Sequence, residues 1–170
     1  MNDEDELLDL VDKRDEVIGT ILRSQTSRPN FGGYLRAAEA YIQNANGKLW
    51  VPRRQAHKRI APNGLDYSMG EHVKASEDYL QGCLRGFKEE LNLELAAKDL
   101  HFVKKFNPLS NLDYFRCLYI YYSDEVPKYN PQDFSEYYWL SPQELIDKLK
   151  AGEPAKKSLL ETATYLLGLN

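Results

Sequence analysis

A segment with helical periodicity, residues 69–95, lies in the middle of a chain that otherwise reads as strands and loops up to residue 140. At about 100° per residue, its apolar side chains fall in one sector of the helical wheel, which predicts a buried face. These side chains are Leu80, Cys83, Leu84, Phe87 and Leu91. A short strand at the start of the segment leads to Ser76, the predicted N-cap of the helix. The fold must therefore place one central helix among strands.

Turn signals divide the rest of the chain into further elements. Asn46-Gly47 is the strongest hairpin signal, and a polar turn at residues 12–15 predicts an earlier hairpin in which Gly19 forms a bulge. Two strands rich in aromatic and β-branched residues are predicted between residues 100 and 124. Ser141-Pro142 followed by Glu144 is a helix-start signature, and the last fifteen or so residues have helical periodicity.

Length and charge limit the class of protein. A chain of 170 residues predicts a single domain, residues 1–170, of which residues 1–5 form a flexible polar lead. The net charge of −4 argues against a nucleic-acid polymer or a membrane surface as partner. The acidic N-terminus is unlike a secretory signal, and no apolar run approaches the roughly 18 residues of a membrane span. Cys83 and Cys117 lack metal-ligand spacing, which favours buried, reduced thiols and a cytoplasmic protein.

Glu89 and Glu90 share one sector of the central helix with Gly86. Two adjacent carboxylates form a hard-oxygen site of the kind that suits Mg²⁺ or Mn²⁺. Taken alone, the pair is equally compatible with an ordinary solvated helix face, which is the commoner situation for neighbouring glutamates. The spacing of this pair relative to other residues is needed to choose between a metal site and a solvated helix face.

That spacing resembles the box motif of the Nudix hydrolase superfamily. The pattern is Gly, five residues, Glu, seven residues, Arg-Glu, an aliphatic residue, any residue, Glu-Glu, any residue, Gly and an aliphatic residue. Positions that match are Glu77, Arg85, Phe87, Glu89, Glu90 and Leu93. Three positions depart: Glu71 stands at the first Gly, Gly86 at the Glu after Arg, and Asn92 at the last Gly. Asn92 can adopt the left-handed conformation of a helix C-terminus, so its departure is benign.

The resemblance extends over nearly the whole chain, to the branch of the superfamily related to isopentenyl diphosphate isomerases. It implies an α/β (α+β) Nudix fold, a mixed β-sheet sandwiched between α-helices with the box as a loop–helix–loop. Isomerase activity itself is disfavoured, because the region before the box has no cysteine and the three histidines form no evident metal site. His72 is expected to be an ordinary strand or surface histidine.

The resemblance implies hydrolysis of a diphosphate linkage in a small, nucleoside diphosphate-like molecule, with Mg²⁺ or Mn²⁺ as cofactor. Glu89, Glu90, Arg85 and Glu77 are the expected catalytic residues, with Arg85 orienting the box carboxylates. The expected metal ligands are the Gly70 carbonyl, Glu89, Glu90 and an outlying Glu136 in the loop before Trp139. Phosphates would be held by Arg53, Arg54 and Lys58, although these residues also fit a plain soluble basic loop. The oligomeric state stays open, and a homodimer is compatible with the sequence.

Gly86 leaves two readings open. A mid-helix glycine costs about 1 kcal/mol relative to alanine, so it indicates either drift in a weakened metal site or room made for a ligand. In the first case, a Gly86→Glu change should raise hydrolysis. In the second, the same change should lower ligand affinity and leave turnover flat or worse. The alternative function is a catalytically silent Nudix domain that binds a phosphorylated ligand or a protein partner.

Overall fold

A computed structural model describes residues 6–28 and 30–169 of the chain, so the predicted flexible lead at residues 1–5 lies outside the described residues. The strands are β1 (Leu7–Val11), β2 (Val17–Leu22), β3 (Leu35–Gln43), β4 (Leu49–Arg54), β5 (Met69–His72), β6 (Leu100–Phe106), β7 (Tyr114–Tyr122) and β8 (Phe134–Leu140). The helices are α1 (Tyr79–Leu91), α2 (Pro142–Lys150) and α3 (Leu159–Leu167), with short 3₁₀ turns at Arg23–Ser27 and Ala97–Asp99.

Six strands form the main sheet. Their order is β6-β7-β3-β4-β8, and β5 adds to β3 beside β4. The β3–β7 pair is parallel and the other pairs are antiparallel, so the sheet is mixed. The β1–β2 hairpin forms a separate two-stranded sheet. The mixed sheet of the expected fold class is therefore confirmed.

Helices cover both faces of this sheet. Because side chains alternate along a strand, neighbouring residues of β3 and β4 enter different layers. Tyr41 and Val51 pack in a cluster with Leu145 of α2 and Leu159 of α3, among others. Ile42 and Trp50 pack on the opposite face in the cluster that contains Phe87 of α1. The predicted helix–sheet–helix sandwich is confirmed, with α1 alone on one side.

Local signals in the sequence place several turns correctly. Asn46-Gly47 closes the β3–β4 hairpin, where Gly47 takes a φ of 73°. The register of the first hairpin shifts at Val11, opposite the step between Val17 and Gly19, as the predicted bulge requires. Ser141 caps α2 in a capping box with Glu144. Each of these features depends on residues close together in the sequence.

The N-terminus of α1 lies two residues later than predicted. Asp78, not Ser76, is the N-cap: its carboxylate accepts a hydrogen bond from the Gln81 backbone amide, and its own backbone amide donates one to Oε1 of the Gln81 side chain. Ser76 instead has a φ of 69° in the preceding turn. Both residue types make good caps, so composition alone could not choose between them.

Asp78→Ala is expected to lower the free energy of unfolding by about 1 kcal/mol, because it removes the cap from the Gln81 amide. Ser76→Ala is the matched control and should cost only a few tenths of that value. Urea denaturation of both variants measures the difference. A larger loss of unfolding free energy in Ser76→Ala would instead identify Ser76 as the N-cap, as predicted from the sequence.

Within the described ranges, no helix has the length and apolar character needed to cross a membrane. Cys83 and Cys117 are both buried free thiols, as expected.

Candidate active site

The strand β5, which precedes α1, contacts the far end of that helix. The Gly70 amide donates a hydrogen bond to Oε2 of Glu90, with a nitrogen–oxygen distance of 3.3 Å. β5 is held in place by antiparallel pairing with β3, in which Gly70 lies opposite Glu39. Two residues that are twenty positions apart, both expected to contact metal, are therefore adjacent in the fold.

Arg85 organises the acidic residues on one side of α1. Its guanidinium contacts both carboxylate oxygens of Glu77 at 2.9 and 3.0 Å, and Glu89 at 3.1 Å. It also donates to the His72 carbonyl at 2.7 Å. Burial alone would raise the pKa of Glu77, but hydrogen bonds from Arg85 and the Lys74 amide hold it below its usual value. The predicted pairing of Arg85 with the box carboxylates is present, and Glu77 stays ionised to hold it.

Glu71 and Glu90 form an electrostatically strained pair. Burial raises the pKa of Glu90 well above its usual value, and the neighbouring charge of Glu71 raises it further. Burial likewise raises the pKa of Glu71, against the attraction of Arg85, whose NH1 lies 3.6 Å from Oε2. Two carboxylates in a partly buried site disfavour each other's ionised form.

The chemistry of these groups suits a divalent cation. Mg²⁺ typically takes one or two protein carboxylates and completes its octahedral shell with waters and substrate phosphates. Glu71 and Glu90 supply hard oxygens beside the Gly70 backbone, and a cation would relieve their mutual repulsion. In residues 6–28 and 30–169, no three His, Cys, Asp or Glu side chains already converge in metal-holding geometry. The site thus fits an ion that shares its coordination with phosphate and water.

The other two predicted acidic ligands, Glu89 and Glu136, have partners other than Gly70. Half of the Glu89 side chain is exposed, and its partners are Arg85 and Lys74. Glu136 is in strand β8, not in a loop as predicted, because β8 begins at Phe134 and pairs Glu136 with Arg53 of β4. The Glu136 carboxylate receives Arg53 Nε at 2.6 Å and the Tyr138 hydroxyl at 2.6 Å. Its role as a metal ligand stays a prediction.

Each of the three predicted phosphate-binding residues has a carboxylate partner. Arg53 bridges Glu136 and Glu153, with 2.6 and 2.7 Å contacts. Lys58 pairs with Asp133. Arg54 donates to Oδ2 of Asp66 at 2.6 Å. The three residues are therefore neutralised within the protein, with Arg53 and Arg54 in strand β4 and not in a loop, and of the three only Arg54 is linked through its partner to the surroundings of Gly70.

The residues that complete this link were not predicted from the sequence. Asp66 also binds Lys156, whose ammonium lies 3.0 Å from Oδ1. The same Lys156 nitrogen is 3.1 Å from the place that a Cβ on Gly70 would occupy. Lys156 comes from the loop between α2 and α3, which is fixed where its amide donates to the Leu65 carbonyl. No local pattern marks Lys156, since it reaches the site through the packing of a distant loop.

Gly86 is required by packing between α1 and β5. A Cβ placed on it would lie 2.4 Å from Sδ of Met69, 3.1 Å from Cγ of Met69 and 3.0 Å from Cγ of Glu71. Met69 is fully buried. The backbone of Gly86 does not have a positive φ and does not itself exclude a side chain, but the space that a glutamate at position 86 would need is already filled by two side chains of β5.

His72 points away from Glu71, as alternate residues of a strand do. Its ring packs edge-on against Tyr114, with centroids 5.7 Å apart, and its Nδ1 has no hydrogen-bond partner among the described residues. Burial is the main cause that lowers the pKa of His72 to about 4, and the charge of Arg23 adds to it. His72 is thus a neutral packing residue near the site.

This depressed pKa predicts a loss of stability in acid. The unfolded chain takes up a proton near pH 6.5, whereas the folded one does so only near pH 4. Stability is therefore complete above about pH 6.5 and falls as the pH drops, by about 2 kcal/mol between pH 7 and 5. Urea unfolding in EDTA measures it. His72→Phe should remove most of this difference, whereas His101→Phe on the exposed side of β6 should not; equal losses in all three proteins would refute the assignment.

Known proteins with similar sequences belong to one family. The family model described as the NUDIX domain matches residues 33–163. A Nudix hydrolase of Deinococcus radiodurans is 40% identical over 158 residues, covering 92% of this chain and 91% of the relative. An uncharacterised Nudix hydrolase of Nostoc sp. is 41% identical over 157 residues, covering 92% of each chain.

Solved structures show the same fold. The crystal structure of DR0079 from Deinococcus radiodurans superposes with a TM-score of 0.83 at 38% identity, covering 95% of this chain and 99% of that one. A MutT protein from Methanosarcina mazei superposes with a TM-score of 0.60 at 20% identity, covering 81% of this chain and 95% of that one, which is a likeness of fold alone.

Proposed function

The chain belongs to the Nudix family of hydrolases, and from this we propose that it cleaves a diphosphate linkage in a nucleoside diphosphate-like small molecule, using Mg²⁺ or Mn²⁺. The observation that supports this most is the contact between Glu90 and Gly70. It brings a carboxylate with a raised pKa to strand β5, where a cation and a phosphate would share it. With two buried free thiols in the fold, we assign the activity to the cytoplasm.

Glu90 and the Gly70 carbonyl form the centre of the proposed metal site, and Glu89 contributes from the exposed side of the same helix. When bound, the divalent ion neutralises charge on the diphosphate and makes water a better nucleophile. Arg85 and Glu77 act as positioning residues, because their two-bond contact fixes the guanidinium that holds Glu89. Glu136 remains an outlying candidate ligand, which would have to exchange its bond with Arg53 for one with the ion.

Of the three proposed phosphate-binding residues, Arg54 is the best placed. It shares the carboxylate of Asp66 with Lys156. Both cations lie against a carboxylate that phosphate oxygens can replace, since guanidinium and ammonium groups bind either anion. Arg53 and Lys58 are tied to carboxylates on β8 and in the loop before it. They would serve the outer part of the substrate.

A screen for phosphate release tests this function. A panel of nucleoside diphosphates and other small diphosphates is incubated with the protein in Mg²⁺, in Mn²⁺ and in EDTA. We expect turnover of at least one compound that stops in EDTA. Stoichiometric binding of a diphosphate without turnover in either metal would instead support the second candidate, a silent binding domain. That candidate is favoured by one observation, the absence of a carboxylate on α1 at position 86.

A further inference from the structure

Resting on the proposed function, we propose that Glu71 gives the divalent ion the carboxylate that the box pattern assigns to position 86. In this view, the absence of a side chain on Gly86 leaves the space beside α1 into which the Glu71 side chain extends. The two strongest departures from the pattern are Glu71 in place of Gly and Gly86 in place of Glu. They then amount to one exchange of residues between two positions that contact each other.

The packing of β5 on α1 supports this exchange. Cγ of Glu71 lies 3.0 Å from the point where a Cβ on Gly86 would be. Any side chain on Gly86 and the present side chain of Glu71 would thus compete for one volume. The glutamate stem reaches from the strand into the space beside the helix that a residue at position 86 would otherwise occupy.

The carboxylate of Glu71 also lacks the partners expected of a purely structural ion pair. Only 17% of the side chain is exposed, and its nearest cationic atom is Arg85 NH1 at 3.6 Å. That guanidinium already holds Glu77 and Glu89 at shorter distances. Among the described residues, no hydrogen bond reaches the Glu71 carboxylate, which is only partly buried.

Glu90 is in a similar position. The one hydrogen bond to its carboxylate among the described residues is the long one from the Gly70 amide. A divalent ion bound by both carboxylates would accept lone pairs that these few contacts leave free.

Manganese titration calorimetry without substrate tests the proposal on binding alone. Glu71→Gln keeps the size of the side chain and removes its charge. We expect the Mn²⁺ dissociation constant to rise at least about tenfold, the scale seen when even an outer-shell partner of a metal is lost. Glu94→Gln is the matched control, because Glu94 is exposed and pairs with Lys88 beyond the end of α1. Its affinity should equal that of the wild type.

The exchange itself can be reversed. Glu71→Gly should bind Mn²⁺ weakly, and adding Gly86→Glu to it should restore at least part of the affinity. Removal of the Glu71 side chain gives the flexible thioether of Met69 space to move aside. Should the double variant not fold, the Glu71→Gln titration decides the question.

The outcomes separate this proposal from the function on which it rests. Wild-type affinity in Glu71→Gln together with lost affinity in Glu90→Gln would overturn the role of Glu71 and leave the metal site standing. A wild-type protein that binds no Mn²⁺ at millimolar concentration would overturn both. Weakened binding in Glu71→Gln, with normal binding in Glu94→Gln, is the result that the proposal requires.

Discussion

Glu90→Gln is expected to lower the rate of diphosphate hydrolysis at least about 100-fold, since a metal ion contributes several kcal/mol of charge stabilisation and each tenfold in rate is about 1.4 kcal/mol. The glutamine keeps the shape of the side chain and can still accept the hydrogen bond from Gly70. Its loss of charge is therefore the main change. Initial rates against Mg²⁺ concentration measure the effect on the substrate that the wild type cleaves best.

The same variant should keep its fold in the absence of metal. Because the pKa of Glu90 is raised, its ionised form is disfavoured in the folded protein, and stability falls as pH rises through that pKa. A neutral glutamine removes this cost, so melting in EDTA at neutral pH should be no lower than in the wild type. Mn²⁺ should raise the melting temperature of the wild type only. Normal Mn²⁺-dependent turnover in the Glu90→Gln protein would show that Glu90 is not part of the site.

Gly86→Glu is expected to destabilise the protein by about 1–3 kcal/mol, the usual cost of overpacking a filled interior. The new Cβ would require both Met69 and Glu71 to move, and Met69 is fully buried between β5 and α1. Hydrolysis should not rise, in contrast to what a weakened metal site would predict, because the added carboxylate displaces the one already supplied from position 71. Urea denaturation and initial rates of the variant measure the two effects.

Gly19→Glu is the matched control for this change, since a Cβ on Gly19 meets no atom within 4 Å. It should be nearly neutral for stability and for rate. A Gly86→Glu protein as stable as the wild type, with a higher rate, would contradict the packing argument. It would support instead the view that the metal site is weakened by a missing carboxylate.

Features set by nearby residues were predictable from the sequence. The Asn46-Gly47 turn requires a left-handed backbone that these residues adopt easily, and Gly47 has it. Asn92 stands where the box pattern has Gly, and it takes the left-handed conformation at the end of α1 with a φ of 53°. Asparagine can adopt this conformation at a helix C-terminus. The error of two residues at the helix start arose because Ser76 and Asp78 are both good caps.

Features set by tertiary contacts were not predictable in the same way. Glu136 follows a Pro-containing segment that resembles a loop, but the pairing of β8 with β4 extends the strand to include it. Lys156 reaches Asp66 through loop packing across the fold. Gly86 was interpreted from its own helix, although the side chains that exclude a Cβ belong to β5. A signal was nevertheless present, because Glu71 and Gly86 depart from the box pattern in opposite senses.

The most direct test of the central claim is anomalous diffraction from crystals grown with Mn²⁺ and a non-hydrolysable nucleoside diphosphate analogue. A manganese peak is predicted at about 2.0–2.3 Å from the carboxylate of Glu90 and the carbonyl of Gly70, with analogue phosphate oxygens completing its coordination. A bound analogue whose manganese touches neither Glu90 nor Gly70 would contradict the account.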